Sequence, residues 1–183
     1  VAEEHGHVAA LGGDVEPGGV HLGAHDQEVS FLERALPLAP DTATAAGLHR
    51  RLALAAQQAG QAERAMGSWR ETQTGLAESG RSEAEGVAAA GMANWLMMSG
   101  IVDEAGALLD QALERAADHA VSTGAMALLH AQRARVGGFR GDGEVAIAEA
   151  DRALELAAQA GRVDLVAEAL ITRGWGLVYA DRG

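Results

Sequence analysis

The sequence predicts an all-α fold, built as a right-handed superhelical array of antiparallel helical hairpins. An alanine-rich helical run that ends in glycine recurs about every 40 residues, at Gly60, Gly100, Gly141 and Gly183. An alanine follows five residues after the first three of these glycines, at Ala65, Ala105 and Ala146. Almost no segment alternates apolar and polar residues with period two, so no sheet is expected. Such fixed-period similarity is typical of stacked helical hairpins rather than of catalytic folds.

Composition narrows the range of functions. The chain has 183 residues, of which 48% are hydrophobic but only 3% aromatic, so its helices must approach closely to bury enough apolar area. The formal net charge of −12 argues against nucleic-acid binding, which depends on clustered cations. There is no cysteine and no lysine, which excludes a thiolate metal site, a cysteine nucleophile, a P-loop lysine and a Schiff base from this chain.

The chain divides into two parts. Residues 1–27 are rich in glycine and histidine, and we expect a loop or partly ordered segment there. Residues 28–183 form the expected repeat domain, which we interpret as a fragment of a longer cytoplasmic protein. No apolar run reaches membrane-spanning length, and the N-terminus lacks the basic region of a signal peptide.

The first helices are bounded by proline, glycine and capping residues. A helix from Glu28 stops at Pro37, and Asp41 or Thr42 is placed to cap the next helix, which runs to about residue 59. Gly60 ends that helix, and residues 61–79 form another that ends at Gly80. Ser82, with Glu85 three residues later, resembles a capping box for a helix over 82–99.

The later helices follow the same pattern. Residues 102–119 have apolar side chains at helical spacing and predict an amphipathic helix. The next helix, 121–138, is expected to break at Gly137-Gly138. Asp142 caps a helix over 142–160, Gly161 ends it, and the last helix runs over about 163–180. Linkers of one to four residues force neighbouring helices to lie antiparallel.

Particular residues within this pattern resemble tetratricopeptide repeats. The small and large positions of a second repeat helix are matched by Gly100, Ala105, Leu109 and Ala112, and again by Gly141, Ala146 and Ala153. The last helix matches the first helix of such a repeat at Gly176, Tyr179 and Gly183. The resemblance covers roughly residues 28–183. The chain is also similar to the helical arrays of large bacterial ATPase-linked regulators, such as LuxR-type activators and some adenylate cyclases.

The resemblance implies a non-enzymatic protein–protein interaction scaffold within a bacterial signalling or transcription regulator. First helices of such hairpins line the concave face, and in this register they place there Arg50, Gln57, Asn94, Met98, Arg135 and Arg173. Arginine and asparagine suit recognition of the backbone and carboxylates of a peptide or protein partner. No cofactor, nucleic acid or membrane is expected. The first alternative is that the concave face senses a small molecule or peptide.

A second alternative is a metal-dependent enzyme that uses the N-terminal histidines. The weak candidates for metal ligands are His5, His7, His21 and His25. Their spacing could supply imidazoles to zinc or nickel, but a glycine-rich segment offers little preorganisation. Solvated side chains in a polar terminal segment are the simpler interpretation.

The last predicted helix is unusually apolar for the end of a stack. Its apolar side chains exceed what one neighbouring helix can cover, namely Leu170, Trp175, Leu177, Val178 and Tyr179. We therefore expect that the natural protein continues beyond this helix or that another subunit covers the face.

Overall fold

A computed structural model of the protein describes residues 17–180, and their side chains from residue 23 onward. This part of the chain holds eight α-helices and no strand, which confirms the all-α prediction. The helices are α1 Pro17–Ala35, α2 Thr42–Gln58, α3 Ala62–Glu78, α4 Ser82–Met98, α5 Val102–Asp118, α6 Thr123–Arg140, α7 Gly143–Gln159 and α8 Val163–Ala180. A short 3₁₀ turn, Leu36–Leu38, joins α1 to α2.

Consecutive helices pack in pairs, as the short linkers predict. The pairs α2–α3, α4–α5 and α6–α7 are each in extensive contact, and α8 packs on α7. In addition, α6 lies against both α4 and α8, so three alternate helices stand side by side. α6 therefore contacts four helices, α4, α5, α7 and α8, whereas α8 packs on only two of the described helices, α6 and α7.

Glycine ends five of the helices by the same geometry. At the first of these turns the N–H of Gln61 donates to the carbonyl of Ala56 at 2.8 Å, and that of Gly60 donates to Gln57 at 3.1 Å. These two bonds form a Schellman motif, which requires a left-handed residue and so favours glycine. The glycines with positive φ are Gly60, Gly80, Gly100, Gly141 and Gly161. The sequence predicts four of them as helix ends and places Gly141 in an interhelical turn, after a helix expected to end at Gly138.

The starts of the helices follow the sequence less closely. Asp41 and Asp142 cap α2 and α7 by accepting from the N–H groups of Thr44 and Val145, as predicted. The capping box at Ser82 is wrong, because Ser82 is already helical and makes no capping bond. The helix expected to begin at Glu28 begins at Pro17, where proline is tolerated because first-turn N–H groups need no helical partner.

The predicted break at Gly137-Gly138 is also wrong, since α6 runs through both residues to Arg140. A Cβ added to Gly137 would lie 2.8 Å from the backbone nitrogen of Ala146 in α7. Glycine is therefore needed there for close approach of two helices, and not for a turn.

Alanines at the helix crossings form much of the core. The predicted crossing residues are all buried: Ala105, Ala112, Ala146 and Ala153. Trp69 of α3 is buried against Gly91 of α4, where its ring fills the space that a Cβ would occupy. Small residues thus let the helices approach, and a few large ones fill the remaining volume.

His49 of α2 is expected to make folding stability depend on pH. Burial lowers the pKa of its imidazole below the usual value, while nearby Glu71 opposes that shift. The imidazole of His49 takes up a proton at about pH 6.5 in the unfolded chain but only at a lower pH in the folded protein. The free energy of unfolding therefore falls as the pH drops below about 6.5 and through the lowered pKa of the folded state. Between neutral and mildly acidic pH, the free energy of unfolding measured by urea denaturation should fall less in His49→Gln than in the natural protein. Equal losses in the two proteins would contradict a buried neutral imidazole.

Candidate partner-binding groove

The groove lies between α2 and α4, which do not pack closely against each other. A cavity of about 270 Å³ opens there, over the C-terminal half of α3. Its lining residues come from α2, α3, α4 and the α3–α4 turn: Ala43, Ala46, Gly47, Arg50, Leu76, Arg81, Ala84 and Val87. Because α6 lies against both α4 and α8 whereas α2 and α4 are separated, this gap is where the row of alternate helices opens.

Two arginines supply the charge of the cavity. Arg50 projects from α2 and Arg81 follows Gly80 in the turn before α4. Most other arginines pair with carboxylates, but neither of these lies within 4.0 Å of one in the part of the chain that the structure describes. Asp41 interacts with Arg81 electrostatically but weakly, since the pKa of Asp41 is lowered mainly by the hydrogen bond from the backbone of Thr44 and to a lesser degree by Arg81. The cavity is thus locally cationic on a strongly acidic protein.

The floor of the cavity is apolar and made of small side chains. Ala46 and Leu76 are buried, while Val87 is 37% exposed at the mouth. Gly47 faces open space, with no atom within 4 Å of an added Cβ, so it leaves room for a bound group. A pair of guanidinium groups above such a floor can bind a carboxylate that carries a small apolar group.

A hydrogen-bonded polar network joins α4, α6 and α8 further along the row. The guanidinium of Arg135 donates to Asn94 at 2.7 Å and to Gln132 at 3.0 Å, and it lies 3.5 Å from Glu168. The side-chain amide of Gln132 also donates to Glu168, at 2.9 Å. The structure therefore joins the predicted residues Asn94 and Arg135 by a hydrogen bond, in a network with two residues the sequence did not single out, Gln132 and Glu168.

The other predicted groove residues have different surroundings. Gln57 shares a helical face with Arg50, and its side-chain nitrogen is buried with no partner among the described residues. Met98 shares a face of α4 with Val87 and Asn94, and it is 69% exposed. Arg173 of α8 donates to Asp151 of α7 at 2.6 Å, so its charge is neutralised across the α7–α8 pair.

The histidines form no assembled metal site in the described part of the chain. His5 and His7 lie outside the described residues, as does the side chain of His21, while His25 is half-buried on α1. Within the described ranges no group of three His, Asp or Glu side chains has the geometry to hold a metal ion. His130 instead bonds Glu149 of α7 at 2.6 Å, as an interhelical contact.

Sequence reasoning missed Arg81 and Glu168. Arg81 follows a glycine that ends a helix, so its place beside the next hairpin could have been inferred from the turn. Glu168 carries no local signal, because its partners Gln132 and Arg135 lie one repeat earlier in the chain.

The chain matches no family model, no curated protein and no solved structure. No helix among the described residues combines the length and the apolar character needed to cross a membrane.

Proposed function

We propose that this protein is a non-enzymatic, tetratricopeptide-like interaction module that binds a peptide end or an acidic peptide in the groove between α2 and α4. The observation that carries the proposal is the pairing of Arg50 and Arg81, both without a carboxylate partner among the described residues, over one small apolar cavity. A free carboxyl terminus offers two oxygens for bidentate contact with guanidinium, next to a side chain that the apolar floor can take.

The row of helices supports a scaffold role. The packing of α6 on both α4 and α8 is compatible with a right-handed superhelix whose first helices line one concave face. In that arrangement the α2–α4 groove opens on the concave side, near Met98 and the network at Asn94. We place the module within a larger bacterial regulator on the resemblance of its repeats alone.

The size of the cavity favours a chain end over a small-molecule ligand. Its volume of about 270 Å³ falls just below the roughly 300–1,000 Å³ typical of small-molecule sites. A second depression at α1, of about 540 Å³, is less suited to an anion, because its Arg51 is 3.2 Å from Glu28 and already paired. The α2–α4 cavity therefore combines two arginines that form no ion pair among the described residues with a small apolar floor.

The proposal predicts binding of a fluorescein-labelled peptide whose last two residues are glutamate and valine. Fluorescence anisotropy should report binding that weakens at higher salt, since both arginines are exposed and their charges are screened. Arg50→Ala and Arg81→Ala should each raise the dissociation constant about tenfold through loss of a charged contact. A peptide with an amidated C-terminus distinguishes the two possible carboxylates, because it keeps the glutamate side chain but lacks the terminal carboxylate.

Arg70→Ala is the matched control for this experiment. Arg70 is an exposed arginine of α3 without a carboxylate partner in the described ranges, and it does not line the cavity. Equal effects of Arg70→Ala and Arg50→Ala would show that only net charge matters. Unchanged affinity in both groove variants would overturn the proposal.

A further inference from the structure

The exposed face of α8 is the largest run of uncovered apolar side chains in the described structure. Six of its large residues are between 41% and 59% exposed: Leu170, Ile171, Trp175, Leu177, Val178 and Tyr179. Scattered exposed apolar residues are ordinary, but a contiguous patch of this kind on one helix marks an interaction surface. The sequence prediction that one neighbour cannot cover this helix is confirmed.

The 40-residue repeat shows what this face corresponds to elsewhere. In α6 the equivalent stripe is buried and consists of Ala127, Ala131, Ala134 and Gly138. Ala127 and Ala131 pack against residues of α7 and α8. In α8 the stripe is exposed and consists of Ala167, Ile171, Gly174 and Val178. The two stripes differ in shape. The α6 stripe contains only alanine and glycine, whereas α8 has Ile171 one turn before Gly174 and Val178 one turn after it.

Gly174 has no function inside the folded chain that explains it. No atom lies within 4 Å of a Cβ added there, although a glycine inside a helix lowers helix stability. Gly176, two residues later, faces the opposite side and does pack tightly against Ala146 and Ile147 of α7. The face thus has a notch at Gly174 between two knobs, Ile171 and Val178.

The charge pattern selects a second copy of the chain as the occupant. The three charged residues of α8 are all neutralised within the protein: Asp164 by Arg162, Glu168 by Arg135 and Arg173 by Asp151. Two molecules that each carry a net charge of −12 repel over most of their surfaces, but not across this uncharged face.

We propose that two copies of the protein pair through α8 in a two-fold symmetric dimer that crosses at Gly174. A two-fold axis at the notch brings Ile171 of each copy beside Val178 of the other, so the knob–notch–knob profile is complementary to itself. The exposed apolar area is on the order of several hundred Å², below the ~800 Å² per partner of a standard interface, so we expect a weak, reversible dimer.

A head-to-tail contact would use the other end of the stack and is chemically less matched. The exposed residues there are Phe31 on α1 and Leu38 in the following turn. The guanidinium of Arg34 lies 4.7 Å from the ring of Phe31, and Glu28 and Arg51 flank the same surface, so this end is charged. When α8 packs against α8 of a second copy, no charged group is removed from water. When α8 packs against the Phe31–Leu38 end, the charged groups there lose hydration, which costs free energy.

Sedimentation velocity of the full chain across the micromolar range tests the proposal. We expect a reversible monomer–dimer equilibrium that shifts toward dimer at higher salt, because salt screens the repulsion between acidic molecules. Ile171→Glu should raise the dissociation constant at least about tenfold. The matched control is Leu38→Glu, which makes the same change in charge at a residue 80% exposed on the opposite end and should leave the dimer intact.

Gly174→Ala separates loss of the dimer from loss of folding, because it is expected to weaken the dimer while it stabilises the fold. The added methyl group should raise the thermal midpoint of unfolding, because alanine favours the helix and meets no neighbour, and should weaken the dimer by filling the notch. A monomer at all concentrations overturns the proposal, as does a dimer insensitive to Ile171→Glu. Open-ended polymers would also overturn it, in favour of head-to-tail contact. Peptide binding in the α2–α4 groove is unaffected by any of these outcomes.

Discussion

Replacing Gly137 by alanine is expected to destabilise the protein, while the same replacement at the next residue, Gly138, is expected to stabilise it. A Cβ at Gly137 would lie 2.8 Å from the nitrogen and 3.1 Å from the Cα of Ala146, so two helix backbones must separate. Overpacking of this kind costs about 1–3 kcal/mol. The free energy of unfolding from urea denaturation should fall by this amount in Gly137→Ala.

Gly138 serves as the internal control because it lies in the same helix, is buried like Gly137 and receives the same substitution. No atom lies within 4 Å of a Cβ added there. Alanine then gains helix propensity and restricts the unfolded chain, which is worth about 0.4–1 kcal/mol. Two variants one residue apart should therefore move stability in opposite directions. A loss of stability in both, or in neither, would contradict the α6–α7 crossing described above.

The same pair of glycines shows how far the sequence predicts this fold. Glycine at the end of a helical run predicted four helix ends correctly, at Gly60, Gly80, Gly100 and Gly161, since a left-handed residue is a local requirement. Gly137-Gly138 follows a helical run in the same way but lies inside a helix. Glycine is needed at Gly137 because Ala146 of α7 approaches it closely. Local conformational signals are readable from sequence, whereas a close approach depends on which helices cross.

The candidate site divides in the same way. The repeat pattern predicts Asn94 and Arg135 on one face, because equivalent positions of stacked hairpins lie in one row, and the structure joins the two side chains by a hydrogen bond. The pattern could not show that Gln132 and Glu168 also accept hydrogen bonds from the same Nη1 group of Arg135. For Arg50 the repeat pattern predicts a helix and a face of that helix. The gap between α2 and α4, where Arg50 lines a cavity, depends on how the helices pack and is not readable from the repeat.

Reversal of the charge at Arg135 is expected to destabilise the protein by about 2 kcal/mol, by analogy with partly buried charge networks. The Arg135→Glu side chain would face Glu168 across the gap that is now a 3.5 Å ion pair, and would leave Asn94 without its donor. Side-chain exposures of 20% for Arg135 and 32% for Glu168 mean that water only partly relieves the repulsion. Chemical denaturation of the variant and the natural protein measures the difference.

The control is Arg152→Glu, because Arg152 forms an exposed pair with Glu155 in one turn of α7. Such pairs contribute between zero and about 1 kcal/mol, so this variant should unfold close to the natural protein. Combining Arg135→Glu with Glu168→Arg should recover part of the lost stability, since the pair is restored in reverse. If Arg135→Glu unfolds like Arg152→Glu, the network does not hold α4, α6 and α8 together. Arg135 would then be free to bind a partner, as the repeat register alone suggests.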